Sequence, residues 1–237
     1  MTATVATGKG TKIFVAGLPD GVETEPVAAT LTHQATAATA KSAAAATITL
    51  ETALPAGFFA AAGNYLSFVD PVTGNEVLVQ LAQDASATDT DINVTRVPEN
   101  IAVNSVAEFP LRLRNRTTAN LDRSGNRETF VTFDDDRFEK GLTVSLSNGI
   151  DFDGFWSPLD AGYATMEHWF NEGFAQIYII LETPNPKPTA YVKGKVYKAV
   201  GSITSMPLPL DASSLTQGQI QAAFNGKPTI VEPELVA

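Results

Sequence analysis

The chain has 237 residues, 44% hydrophobic and 18% charged, with 16 Lys and Arg against 26 Asp and Glu and a net charge of −10. That composition is globular and long enough for one large domain or two small ones; its acidity argues against tight binding to nucleic-acid phosphates over a broad face. No cysteine is present, which excludes disulfides, thiolate chemistry and any zinc or iron site built on sulfur.

The first residues lack a basic start followed by an apolar run, and no stretch approaches the ~20 apolar residues of a membrane span. The expectation is a soluble protein, neither secreted by such a signal nor anchored. Thr11–Ala16 reads as a short strand closed by the turn Leu18-Pro-Asp-Gly21. Ala35–Ala46 is rich in alanine and threonine with no apolar stripe, and reads as a linker.

Four strand-like runs follow, Thr47–Glu51, Asn64–Val69, Glu76–Leu81 and Asp91–Val97. The second and third are joined by Asp70-Pro-Val-Thr-Gly-Asn75, a hairpin turn. Val77, Val79 and Leu81 alternate with Glu76, Leu78 and Gln80, the mark of a half-buried sheet with one wet face. Residues 35–105 are read as an alanine-rich linker plus a small inserted β module. Membership of these strands in one larger sandwich is the other reading.

Arg112, Arg114 and Arg116 alternate with Leu111, Leu113 and Asn115, which puts three guanidinium groups on one strand face; Arg123 and Arg127 follow across turn formers. One reading is an arm that pairs with carboxylates of a neighbouring subunit. Another is nucleic-acid contact, but no aromatic residue lies between Arg112 and Arg127 to stack a base. A solvated hairpin face is the plainest of the three. Glu128–Asp134, Leu142–Leu146 and Ile150–Phe155 add strands or half-strands.

Ser157–Gly173 carries the one convincing helix. Ser157 is placed as N-cap with Pro158 at the first helical position, and Asp160 suits the positive end of the helix. Leu159, Tyr163, Met166 and Phe170 recur as one apolar stripe expected to pack the helix on a sheet. Phe174–Leu181 reads as a buried strand, Tyr191–Ser205 as a long alternating one, and Gln219–Phe224 as the last. The fold class is mainly β, a β-sandwich or half-barrel with one flanking α-helix as its lid.

Val200-Gly-Ser-Ile-Thr-Ser205, then Gln219-Ile-Gln-Ala-Ala-Phe-Asn-Gly-Lys-Pro228, resembles the end of major tail tube proteins of long-tailed, siphovirus-like bacteriophages. Gly10-Thr-Lys-Ile-Phe-Val-Ala16 looks like the first strand of that family, and the helix beginning Asp160-Ala-Gly-Tyr163 looks like its helix. The likeness covers residues 1–20 and about 106–237, in pattern and order, so residues 1–34 and 106–237 are read as the tail-tube β domain. It implies hexameric rings stacked into a tube, other tail proteins at the tube ends, and DNA passing non-specifically through the lumen during ejection. It also implies a place in the virion tail, with assembly in the host cytoplasm, and no enzyme activity, cofactor or metal. The arginine-bearing arm is then the candidate for ring-to-ring contact.

The residues give little else. His33 and His168 are the two histidines, and no G-x-S-x-G elbow anchors a triad. Gly8-Lys-Gly-Thr-Lys12 lacks the spacing of a phosphate loop. Asp134–Asp136 and Asp151-Phe-Asp153 do not follow a calcium-loop pattern and read as solvated turns. The alternative function is a capsid-decoration or receptor- or glycan-binding β-sandwich module of a virion.

Overall fold

A computed structural model of the chain describes residues 11–22, 24–34, 46–114, 116–130, 140–155, 160–173, 176–185, 188, 191–207 and 217–234. It is mainly β, with one helix among the described residues, α1 (Ala161–Asn171). Strands are numbered along the chain. β1 (Lys12–Gly17), β10 (Leu111–Leu113), β11 (Arg116–Phe130), β12 (Lys140–Phe155), β13 (Gln176–Glu182), β14 (Val196–Ser205), β15 (Gln217–Phe224) and β16 (Thr229–Val231) make one antiparallel sheet. Its order is β10-β1-β13-β14-β15-β12-β11, with β16 beside β14. A second sheet has the order β2 (Ala29–Thr32), β9 (Val106–Phe109), β5 (Tyr65–Val69), β6 (Glu76–Gln80). Two small ribbons pair β3 (Ala46–Thr49) with β8 (Asp91–Val94) and β4 (Phe59–Ala60) with β7 (Ala85–Ser86).

The large sheet cannot be flat. β10 and β11 stand at opposite ends of a seven-strand path, which in a flat sheet is about 29 Å wide at the usual strand spacing. Only Arg114 and residue 115 join them, and three backbone steps reach roughly 11 Å. The sheet therefore rolls until its ends approach, and one chain segment pairs first with β1 and then with β12. Strand alternation sends Ile13, Val15, Ile150, Phe152, Ile177 and Ile179 to the inner face, each at most 2% exposed.

The helix begins later than its sequence suggests. Asp160 is the N-cap, extended at ψ 103°, and its carboxylate accepts the Tyr163 N–H, so helical backbone starts only after it. Ser157, Pro158 and Leu159 lie outside the described residues. Tyr163, Met166 and Trp169 form the buried stripe, with Ala161, Gly162 and Thr165. Phe170, expected on that stripe, is 37% exposed while Trp169 is 7% exposed.

Trp169 fits because Gly17 has no side chain: a Cβ there would lie 2.1 Å from the indole Nε1. Next to it, Gly63 (φ 89°) turns the backbone where a Cβ would meet His168 at 2.6 Å. Asn64, fully buried, joins the two sheets. Its Oδ1 accepts the Gly17 N–H at 2.8 Å, and its Nδ2 donates to the carbonyls of Gly17 at 3.1 Å and Ala61 at 2.9 Å. The Tyr65 N–H donates to Thr165 Oγ1 at 2.9 Å. One hydrophobic cluster runs from Ile13 and Val15 through Met166 to Leu66, Phe68 and Val79.

Other sequence expectations shift as well. Leu142–Leu146 and Ile150–Phe155 are parts of the single strand β12. Arg112, Arg114 and Arg116 do not share a strand face, because β10 ends at Leu113 and Arg116 opens β11. β2 and β9, unread in the sequence, pair with each other and so belong to the smaller sheet. The alanine-rich run 35–45 and the acid run Asp134–Asp136 lie outside the described residues.

Replacing Asn64 with Ala leaves the N–H and carbonyl of Gly17 without their partner in a buried place. The expected loss is about 2–4 kcal/mol, read from the urea midpoint at constant slope. An unchanged midpoint would mean that the sheets are joined elsewhere.

Candidate assembly surface

Four structural features bear on what the chain does: the crossing from β10 to β11, the ribbon that β11 and β12 form, the outer face of the sheet, and the arginines around them. At the crossing, Asp160 Oδ2 accepts the Arg114 N–H at 2.9 Å while Oδ1 accepts that of Tyr163 at 3.2 Å. The carboxyl is 2% exposed. Burial pushes its pKa up; the two backbone N–H groups, then Arg116 and Arg114, oppose that rise. Burial also lowers the pKa of Arg116, whose guanidinium lies 5.9 Å from the centre of the Tyr163 ring and whose Nε donates to the Arg114 carbonyl at 2.9 Å. Burial first, and the Glu167 carboxylate second, raise the Tyr163 phenol from 10.0 to about 12, with Arg116 opposing.

Arg112, Arg114 and Arg116 thus have different environments. Arg114 Nη1 reaches both oxygens of Glu76 on β6, at 2.8 and 2.7 Å, and Glu76 also accepts the Ser67 hydroxyl. That pair ties the crossing to the smaller sheet. Arg116 is half-buried against α1. Arg112 is exposed on β10, opposite Phe14 of β1. Arg123 and Arg127 sit on β11, paired in register with Asn148 and Thr143 of β12.

The ribbon is the long feature of the sheet. β15 pairs with β12 only from Gly149 to Phe155, whereas β11 and β12 pair on to Phe130 and Lys140. Among the described residues no third strand joins Arg123–Phe130 and Lys140–Asn148. These extend the hairpin by roughly 27 Å past the sheet, with a register shift between Asn126 and Arg127. A two-stranded ribbon is marginal in water by itself, and its outer edges offer unpaired backbone groups.

The outward face of the strands at this end is polar. Asn120, Asp151, Asp153, Gln219, Gln221 and Ser202 occupy successive outward positions across β11, β12, β15 and β14. Two of them are carboxylates and none is Lys or Arg. Inward neighbours Ile150, Phe152, Ile220 and Ile203 are buried. Towards β1 and β13 the same face becomes apolar, with Phe14 and Ile180 half-buried there. The sequence alternation in Ile150–Phe155 and Gln219–Phe224 held this contrast; the pairing of the two strands did not show in it. Among the described residues no group of three or more His, Cys, Asp or Glu is placed to hold a metal ion, and no helix is long and apolar enough to cross a membrane.

No family model and no curated protein matches the chain. Among solved structures it is similar to a chain of the tail of an empty gene transfer agent particle with C6 symmetry, at 11% identity and a TM-score of 0.41. That likeness covers 50% of this chain and 84% of the other. It is also similar to a chain of the virion of a native gene transfer agent particle, at 11% identity and a TM-score of 0.40, covering 53% and 87%.

Two predictions follow from the crossing. Asp160→Ala removes the cap and costs about 1–2 kcal/mol, whereas Asp160→Asn keeps most of it; equal losses would refute the capping role. For Tyr163, a folded pKa raised above the unfolded one means stability that is fully present below pH 10 and lost as the pH rises through about 12. The difference between wild type and Tyr163→Phe in urea unfolding should shrink over that window by less than ~1.4 kcal/mol per pH unit. A flat difference contradicts the buried phenol.

Proposed function

We propose that the chain is a structural, self-assembling subunit of a phage-type tail tube, a wall element without enzymatic chemistry. The reading is supported above all by the ribbon of 123–130 and 140–148, which no third strand joins among the described residues and whose length exceeds what its own sheet pairs. A second copy of the chain supplies the missing partners, as contact between copies removes the liability of an open edge. In this reading hexameric rings stack, other tail proteins close the ends, and the ribbon, with Arg123 and Arg127, reaches the next copy.

The outward face bearing Asp151 and Asp153 lines the lumen. Carboxylates on that face repel phosphate over about a Debye length, so DNA passes without sticking. Residues 1–34 and 106–237 supply the wall. The strands of residues 46–105, tied to the β10–β11 link by the Glu76–Arg114 pair, make an outer lobe. The protein would reside in the virion tail after assembly in the host cytoplasm.

Negative-stain images of the purified protein at high concentration should contain rings or long tubes. Small dispersed particles would contradict the tube and favour a capsid-decoration or receptor- or glycan-binding module instead. Arg123→Glu combined with Arg127→Glu should leave the unfolding midpoint in place and abolish the assemblies. Arg114→Glu should lower the midpoint, because it sets one carboxylate against Glu76.

A further inference from the structure

The described strands between Ala29 and Phe109 close on themselves. The order β2-β9-β5-β6 makes one part of a ring, and the ribbon of β3 and β8 makes the other. At one seam Leu81 bridges Val94; the Ala82 N–H donates to the Asn93 carbonyl and that of Thr95 to the Gln80 carbonyl, both at 2.9 Å. At the other seam His33 bridges Leu50. There the Gln34 N–H donates to the Thr49 carbonyl at 2.9 Å and that of Glu51 to the Thr32 carbonyl at 2.8 Å. Six antiparallel strands thus form a closed barrel. Register fixes its filling: Leu66 lies opposite Val79, Phe68 opposite Val77, Ile48 opposite Ile92 and Leu31 opposite Ala107, all buried.

The barrel is spliced into one hairpin of the large sheet. β1 and β10 are antiparallel neighbours, Val15 opposite Leu111, and every strand of the barrel lies between them in sequence. None of its strands enters the order of the large sheet. A closed ring also has no edge strand for another chain to extend. Its charge is one-sided. Residues 46–109 hold eight Asp and Glu against Arg96 alone, which is −7 of the chain's −10 and leaves −3 for everything else. Glu76 is paired with Arg114, and none of the other seven acids forms an ion pair among the described residues. Glu51, Asp84, Asp91, Glu99 and Glu108 are exposed.

We infer that the inserted barrel is a shield that keeps finished assemblies apart side by side. A surface without an edge strand and with one sign of charge offers a like surface neither backbone pairing nor attraction. These are two devices by which folded proteins avoid unwanted association. The large sheet, with its open ribbon edges, is left as the surface through which copies join. The inference rests on the assembly reading and on the outer position given there to these strands; it adds what confines that assembly to one axis.

Glu51→Lys, Glu99→Lys and Glu108→Lys together, three reversals of two charges each, take the barrel from −7 to −1 at exposed positions. The purified full-chain variant should keep the wild-type unfolding midpoint and form tubes at the wild-type concentration. At about 0.15 M salt, where the Debye length is about 8 Å, its tubes should gather into bundles that pellet at low speed. Wild-type tubes should stay separate there and bundle only toward about 1 M salt, where that length is about 3 Å. The same reversal at Asp20, Glu172 and Glu234, exposed and outside the barrel, should leave the tubes separate at the lower salt. Barrel-variant tubes that stay separate, or equal bundling by both triple variants, would overturn the shield and leave the assembly reading standing. Loss of tubes in the barrel variant alone would put the barrel in the contact between copies, which also overturns it. If wild type forms no tubes, the assembly reading itself falls and the shield with it.

Discussion

The short link between β10 and β11 constrains the rest of the molecule. Two residues connect strands that end a seven-strand path, so the sheet must curl, and the curl must be fixed where the link crosses. Asp160 fixes it. Its carboxylate takes one N–H from the link and one from the first turn of α1, so the break between strands and the start of the helix are held by one side chain. The cost is a desolvated carboxyl, offset by those two N–H groups and by Arg116 and Arg114 nearby. Arg114 then continues outward to Glu76, so the same few residues also fix the smaller sheet.

The curl gives the large sheet two unlike outer regions. On its inside, alternating Ile, Val and Phe residues make the core with α1. Outside, the strands near β12 carry amides, hydroxyls and two aspartates, whereas those near β1 carry Phe14 and Ile180 beneath a strap that leaves a groove. Among the described residues the β11–β12 ribbon runs on past the strand that pairs its base. The proposed assembly rests on those open edges.

Much of the fold was legible as alternation and turn chemistry. Val77 and Val79 are buried on β6 as their spacing implies, and the turn before it closes because Asp70 accepts the Val72 N–H at 2.9 Å and the Thr73 hydroxyl at 2.5 Å. What escaped depended on residues distant in sequence. The break at Arg114 is imposed by Asp160, and the choice of Trp169 over Phe170 for the core is made by the missing side chain of Gly17. Arg112, Arg114 and Arg116 read as one face because local spacing is blind to a partner 38 residues away, Glu76. β2, only four residues long, has too little alternation to announce a strand.

Amide hydrogen exchange across the ribbon, compared between dilute and assembling concentrations, tests the central claim most directly. The account predicts that amides within 123–130 and 140–148 exchange quickly in the dispersed protein and become strongly protected on assembly, while those of β1 and β13 are protected in both. Ribbon amides equally slow at every concentration would show that one chain closes its own edges, and that result would contradict the account.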